Sequence, residues 1–284
     1  MNASQAASVV ITTYNRSDAL LAVLRGLVMQ TDRNFEVVIA DDGSRVEHQN
    51  QIWSAAVARQ LNAVHVWHPD VGFTASRVRN LGVAVASAAY IIFLDGDCVP
   101  EVDFVERHKA LAEEGVFING SRVLLSPELT QKVLTGDEVI SGRSMAYWVA
   151  KRLSAQASKL SGLLRLPDSA LRVRHGFSWK GIRSCNLSVW RSDFERVDGF
   201  DESFVGWGHE DADFVLRLHN SGVARKNGFC ATEVFHLWHR EAARSQESQN
   251  ARLVFERSKT SVTQPTLGFS QTMLRDDVVI TRLG

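Results

Sequence analysis

Short apolar runs alternate with amphipathic stretches through the first hundred residues. Val9-Val10-Ile11, Phe35 to Ala40, Val64-His65-Val66 and Tyr90 to Leu94 read as buried strands. Between them, Leu20, Leu24, Leu27 and Val28 recur at helical spacing, with Ser17 or Asp18 as the expected cap. Ile52, Trp53, Ala56 and Val57 repeat the pattern, as do Ala75, Val78, Leu81, Gly82 and Val85. Repeating β-α units of this length predict an α/β domain: a mostly parallel central sheet flanked by helices on both faces. Ligands of such sheets bind beyond the carboxyl ends of the strands. Three polar clusters fall there, at residues 12–16, 41–44 and 95–97.

The second half is less regular. A helical pattern runs from about Met145 to Leu164, an extended segment from Ile182 to Trp190, and a glycine-rich run from Gly199 to Gly208. His209 to Asn220 is expected to be helical with Phe214, Val215 and Leu218 inward. These shifts divide the chain into residues 1–125, 126–262 and a tail, 263–284. The 284 residues are 45% hydrophobic, enough for a sizeable core. Lys plus Arg equals Asp plus Glu, so the basic excess of a general nucleic-acid binder is missing and no nucleic-acid partner is expected. Cys98, Cys185 and Cys230 are sparse and lack CxxC spacing, which argues against a disulfide framework or a structural zinc site. Met1 to Ser8 lacks the features of a signal peptide, and no apolar run approaches the ~20 residues of a membrane span. A cytoplasmic protein is the expectation.

Three places carry candidate chemistry. Asp95-Gly96-Asp97 follows a buried strand, and two close carboxylates there repel unless a cation neutralises them. A hard divalent ion does so while keeping coordination sites for phosphate oxygens. Asp41-Asp42-Gly43 ends another strand; its carboxylates suit a nucleobase or ribose, or else a helix cap. Trp207 offers a flat face to a sugar ring, and Glu210 and Asp211 follow it at a helix start. Acids there complement the helix dipole, which is expected to lower their pKa, and one of them is placed to accept a hydroxyl proton. His236 and His239 share a face on a helix but not on a strand; an imidazole completing an Asp97-bound ion favours Mn²⁺ over Mg²⁺.

These residues resemble the family 2 glycosyltransferases of the GT-A fold. Thr12 to Arg16, Asp41 to Ser44, Arg79-Asn80 and Asp95-Gly96-Asp97 match the N-terminal half of that family in order and spacing. Asn186-Leu187-Ser188, Gly199 to Glu202 and Trp207 to Asp211 resemble the C-terminal region of β-1,4-galactosyltransferases and chondroitin-polymerase-like bacterial enzymes. The resemblance implies a donor site from Thr12, Tyr14, Asn15, Asp42, Arg79 and Asp95, with Thr12, Tyr14 and Asp42 holding uridine. It implies Asp97 as a direct metal ligand, a histidine (His236 or His239) closing the metal site, Asp211 as catalytic base, and Glu210 and Trp207 shaping the acceptor site. His209 departs from the pattern, standing where relatives often carry a second glycine.

The expected activity is transfer of a hexose or N-acetylhexosamine from a UDP-sugar to a glycan hydroxyl, with Mn²⁺ or Mg²⁺, in bacterial lipopolysaccharide or capsule synthesis. A sugar-1-phosphate nucleotidyltransferase shares the architecture, but Thr12 to Arg16 lacks its glycine-rich phosphate loop. A non-catalytic glycan-binding module is the other alternative; retention of Asp97 and Asp211 argues against it. Within residues 143–174, Met145, Val149, Leu153, Leu160 and Leu164 form a stripe flanked by Lys151, Arg152, Lys159 and Arg165. This reads either as a packed helix or as a basic amphipathic surface for an anionic membrane, suiting a lipid-linked acceptor.

Overall fold

The computed structural model describes residues 6–160, 163–240, 247–274 and 276–284. The four apolar runs become β1 (Ala7–Thr13), β2 (Phe35–Asp41), β3 (Val64–Trp67) and β4 (Tyr90–Asp95). They lie parallel in the order β3-β2-β1-β4. Each run is apolar on both faces because both faces are covered, as parallel sheets require. Val9 and Ile11 of β1, Val37 and Ile39 of β2 and Ile92 and Leu94 of β4 point into one core, which also holds α1 (Ser17–Val28). Val10, Val38, Ala40, Ile91 and Phe93 point into the other, with α4 (Ala75–Val85). Between these helices come α2 (Val46–Ser54) and α3 (Ala56–Gln60).

After β4 the chain leaves the parallel pattern. It forms β5 (Cys98–Pro100), α5 (Phe104–Leu111), β6 (Val116–Asn119), β7 (Arg122–Leu124), α6 (Pro127–Thr135) and α7 (Met145–Leu153). Then follow β8 (Val173–Arg174), β9 (Asn186–Trp190), α8 (Arg191–Arg196), α9 (Glu210–Asn220), β10 (Ala224–Asn227), β11 (Val234–His236), α10 (Glu247–Arg257) and β12 (Val279–Arg282). Among the described residues the main sheet has nine strands, ordered β12-β3-β2-β1-β4-β9-β6-β10-β8, and β5-β11-β7 form a separate small sheet. β9 runs antiparallel to β4 and β6, joining the two halves into one sheet.

Three expectations change. The helix from Met145 ends at Leu153, because Ala155 turns left-handed and Ala157 pairs with Leu125. Trp148 is its buried anchor, stacked on Phe235 at 4.2 Å, while Met145, Val149 and Leu153 face outward. Leu160 and Leu164 lie beyond the helix, and residues 161–162 of the expected pattern fall outside the described residues. Ser17 opens α1 rather than capping it, its hydroxyl being engaged by His48 and Gln51. The C-terminal tail belongs to the fold: β12 extends the sheet beside β3, and Asp277 pairs with Arg77 at 2.7 Å. Among the described residues, no helix is long and apolar enough to cross a membrane.

Candidate active site

The three polar clusters emerge together at the carboxyl ends of β1, β2 and β4. Gly96 must be glycine: its N–H donates to the Thr12 carbonyl at 2.8 Å, and an added Cβ would lie 2.7 Å from that oxygen. This close approach locks the acidic turn to β1. The Thr12 hydroxyl donates to Asp95 at 2.9 Å. Asn15 joins the β1 and β2 loops, its N–H bonding Ser44 Oγ and its side-chain oxygen accepting from the Arg45 N–H. Gly43 is left-handed (φ +91°), with the Asp70 backbone where a Cβ would fall.

Asp41 and Asp42 have different occupations. Asp41 is fully buried and bonded to His65 Nε2 at 3.0 Å; Trp53 donates to His65 Nδ1, so Nε2 carries the proton given to Asp41. Asp42 accepts from the Thr74 N–H and hydroxyl ahead of α4 and lies 3.1 Å from His68 Nε2. It therefore anchors Thr74, the residue that leads into α4, a helix that the spacing in sequence did not connect to it. Tyr14 is 47% exposed, with its hydroxyl held by Asp70 at 2.7 Å. Its ring is thus open to the cleft while its polar end is fixed. Asp70, His68 and Thr74 carried no signal in the sequence, being loop residues whose partners lie about thirty or more positions away.

Asp97 meets both histidines. Its Oδ2 is 3.1 Å from His239 Nε2 and 3.7 Å from His236 Nε2, and the two rings are 5.1 Å apart. The helix-or-strand choice for this pair is resolved by neither: β11 ends at His236 and the chain turns irregularly through His239. Antiparallel pairing of β11 with β5 sets His236 opposite Cys98, and Cys98 donates to Asp97 Oδ1 at 3.4 Å. Asp97, Cys98 and His236 thus offer ligand atoms within 4.8 Å of one another. Cys98 escaped the sequence reading because only strand register brings it there. Burial holds its thiol well above the ordinary pKa, with Cys185 and Asp97 adding to that, so it stays protonated.

The donor set fits a divalent cation. His239 Nδ1 bonds the Arg240 carbonyl at 2.8 Å, so Nδ1 bears the proton and a neutral ring turns its Nε2 lone pair toward the Asp97 carboxylate. Two acceptors 3.1 Å apart need a proton or a cation between them. The His239 pKa is raised first by this bond, against burial, whereas burial lowers that of His236 despite Asp97. Burial also opposes charge on Asp97, but the His239 hydrogen bond and both imidazoles outweigh it and hold the carboxyl below its usual pKa. Oxygen and imidazole nitrogen together suit Mn²⁺ or a similar first-row ion.

The second carboxylate cluster opens α9. Gly206, Gly208 and His209 all have positive φ, a tight path that brings half-buried Trp207 beside the helix start. Asn250 of α10 braces this loop by donating to the Val205 and Gly208 carbonyls. Buried Arg79 reaches from α4 to Asp95 at 3.3 Å and Glu210 at 3.2 Å, tying the end of β4 to the start of α9. Glu210 is therefore turned inward; its Oε2 is buried with no hydrogen-bond partner among the described residues. Asp211 is half-buried, and its pKa is pushed up to about 7 by burial first and then by Glu210, against the pull of Arg79 and the Ala212 and Ser184 N–H groups. The helix dipole was expected to lower it. Desolvation and a neighbouring carboxylate outweigh a dipole effect of about 0.3–1 kcal/mol.

Asp213, two residues on, has a structural occupation. It pairs with Arg217 at 2.8 Å and with Arg257 at 2.6 Å, and Arg257 also binds Asp201. Arg217 further donates to the Val197 and Gly199 carbonyls, and Asn80 clasps the Phe200 backbone with both ends of its amide. The Gly199-to-Glu202 segment thus braces α4 and α9.

The chain is similar to known proteins over most of its length. Residues 8–162 match glycosyl transferase family 2, and residues 169–240 match the N-terminal domain of galactosyltransferase. The chain is 32% identical over 236 residues to a validoxylamine A glucosyltransferase of Streptomyces hygroscopicus subsp. jinggangensis, covering 76% of this chain and 52% of the relative. It is 30% identical over 231 residues to a chondroitin synthase of Escherichia coli, covering 76% of this chain and 32% of the relative. The chain thus spans about half or less of the length of these relatives. Among solved structures, the mannosyltransferase PcManGT from Pyrobaculum calidifontis, in complex with GDP-Man and Mn²⁺, superposes with a TM-score of 0.58 at 14% identity, covering 89% of this chain and 64% of the other. Staphylococcus aureus TarS gives 0.56 at 14%, covering 94% and 41%. The chain belongs to glycosyl transferase family 2 and has the GT-A fold.

Proposed function

We propose that the protein transfers a hexosyl or N-acetylhexosaminyl group from a UDP-sugar to a hydroxyl of a glycan acceptor, with inversion and with a bound divalent metal. The carrying observation is the approach of both His236 and His239 to the Asp97 carboxylate, with Arg79 tying the end of β4 to the start of α9, where Asp211 lies. Tyr14, Thr12, Asn15 and Asp42 form the rim that receives the nucleotide, with the open Tyr14 ring offered to the base. Asp97, His236 and His239 hold the ion, which when bound supplies Lewis-acid stabilisation of the departing diphosphate. Asp211 takes the acceptor proton; a carboxyl titrating near 7 is matched to that work at neutral pH. The acceptor oxygen bonds to the anomeric carbon as the bond to the diphosphate oxygen breaks, and UDP leaves. Glu210, turned inward against Arg79, acts on the acceptor site through its charge beside Asp211, and Trp207 gives the sugar a flat face.

The relatives named as chondroitin synthase and glucosyltransferase support a hexose-type donor and a role in bacterial surface polysaccharide assembly. Met145, Val149 and Leu153, exposed on α7 beside Arg143 and Arg152, support peripheral contact with an anionic membrane carrying a lipid-linked acceptor. Flotation with anionic but not neutral liposomes is the expected result for that contact. The central test is UDP release from a panel of UDP-sugars with and without Mn²⁺. Slow, Mn²⁺-dependent hydrolysis of one donor, lost in Asp97→Ala, is expected; equal release by that variant sinks the proposal.

A further inference from the structure

Beyond the reacting groups, a second feature lies along α9. A cleft of about 250 Å³ is lined by Phe177, Ser178, Trp179, Phe255 and Ser258. Trp179 and Phe255 expose 37% and 50% of their surface there. Phe177 supports Trp179 edge-on, with ring centroids 5.8 Å apart and planes at 87°, and itself packs on His219 of α9 at 5.6 Å. Aromatic faces with hydroxyls between them suit a sugar ring, whose C–H face is apolar and whose edge is polar. The volume falls below the ~300–1,000 Å³ of a pocket that encloses a whole small ligand, so the cleft suits a short stretch of a longer chain.

The segment is built rather than loose. Arg225 donates to the Ser178 and Lys180 carbonyls, Asn119 to the Gly181 carbonyl, and the Ile182 N–H to the Trp179 carbonyl. Five residues after Trp179, the Ser184 N–H reaches the Asp211 carboxylate. The chain path from Trp179 to Ser184 therefore links the lining of the cleft to the base. His219 lies eight residues beyond Asp211, about 12 Å along the helix axis at 1.5 Å per residue, which is longer than one sugar ring.

The charge of this path is one-sided. Between Asp168 and Asp193 the chain carries Arg172, Arg174, Lys180, Arg183 and Arg191 and no acid, in a protein of zero formal net charge. Arg172 is spent on backbone carbonyls, and Arg191 on carbonyls and Glu195. Arg174, Lys180 and Arg183 are exposed and have no ion pair among the described residues. On the α10 side, Lys259 is paired with Glu256.

We propose that this cleft is a distal acceptor subsite for an acidic glycan, binding uronic-acid-bearing sugars behind the residue that reacts at Asp211. The proposal rests on the transferase reading and commits it to a class of acceptor. Trp179 and Phe255 stack on a ring, and Arg174, Lys180 and Arg183 meet its neighbours' carboxylates.

The test is a titration of intrinsic tryptophan fluorescence and heat with hyaluronan, chondroitin and polygalacturonate oligosaccharides of two to eight sugars, against neutral cello-oligosaccharides of equal length. Wild type is expected to bind at least one acidic series, at least tenfold tighter at six sugars than at two, with affinity falling as salt is raised. Trp179→Ala and Lys180→Glu should each weaken the six-sugar ligand about tenfold and leave the disaccharide unchanged, with circular dichroism confirming folded variants. Equal binding of neutral oligosaccharides, no binding of any acidic series, or unaltered affinity in both folded variants overturns it. Binding needs no turnover, so failure here is distinct from failure of the wild type to release UDP from UDP-sugars.

Discussion

The carboxylates at the strand ends and those on α9 make an instructive pair. Asp95 and Asp97 sit at the end of a parallel strand, and around Asp97 the partners are two imidazoles and a thiol, with no lysine or arginine bonded to it among the described residues. Along α9, Glu210 and Asp213 each bond a buried guanidinium, while Asp211 between them is bonded, among the described residues, by two backbone N–H groups and feels Arg79 only from a distance. A carboxylate matched by arginine has its charge neutralised and holds structure together. One left to titratable or neutral partners keeps free valence for a metal or a proton. The difference lies in the partner, since the residue type is shared.

That contrast can be broken by substitution. The largest effect is expected from Asp211→Asn, which removes the only proton acceptor proposed at the reacting centre and should cut turnover about a thousandfold. Donor affinity, measured calorimetrically with UDP and Mn²⁺, should stay within a factor of a few; parallel loss of both would make the residue a structural one. Asp213→Ala, two positions away, should act in the opposite register. Leaving buried Arg217 without its carboxylate is expected to cost about 3–5 kcal/mol of unfolding free energy, read by denaturant titration, and a stable Asp213→Ala protein would contradict the division of labour. His239→Ala should weaken Mn²⁺ binding by at least the roughly 10- to 100-fold that losing even an outer partner costs. Titration calorimetry distinguishes this from an undisturbed site.

Two smaller effects sharpen the comparison. Activity should rise with pH through about 7 as Asp211 loses its proton. Glu210→Gln removes the charge that raises this pKa and frees Arg79 to lower it, so both changes move the acid limb of the kcat profile to lower pH. A limb that stays in place, or moves up, assigns it to another group. The mildest change is His209→Gly. His209 holds φ +71°, a left-handed conformation that costs a non-glycine residue about 1–2 kcal/mol, so the variant should unfold at slightly higher temperature.

Much of the first half was legible because its chemistry and its scaffold are adjacent in sequence. An apolar run long enough for a buried strand, followed at once by Asp95-Gly96-Asp97 or Asp41-Asp42-Gly43, states both where the strand ends and what it presents. The order of such runs then fixes a parallel sheet, since short βα units permit few other packings. The amphipathic pattern of α9 was equally plain, with Phe214, Val215 and Leu218 buried as their spacing required.

What sequence periodicity could not supply was the identity of partners. Whether Asp42 anchors the entry to α4, whether Cys98 faces His236, and whether both histidines or one reach Asp97 depend on strand register and on irregular backbone, for which there is no repeating signal. The same holds for Asp211, whose place at a helix start indicates a lowered pKa until burial and the neighbouring Glu210 are counted. By itself the sequence determined the local elements and the residue types delivered to the sheet edge, because these follow from short-range periodicity and turn chemistry. The tertiary structure alone decided which charges are paired and which stay available, because pairing and desolvation depend on distances between segments that lie from tens to more than a hundred residues apart.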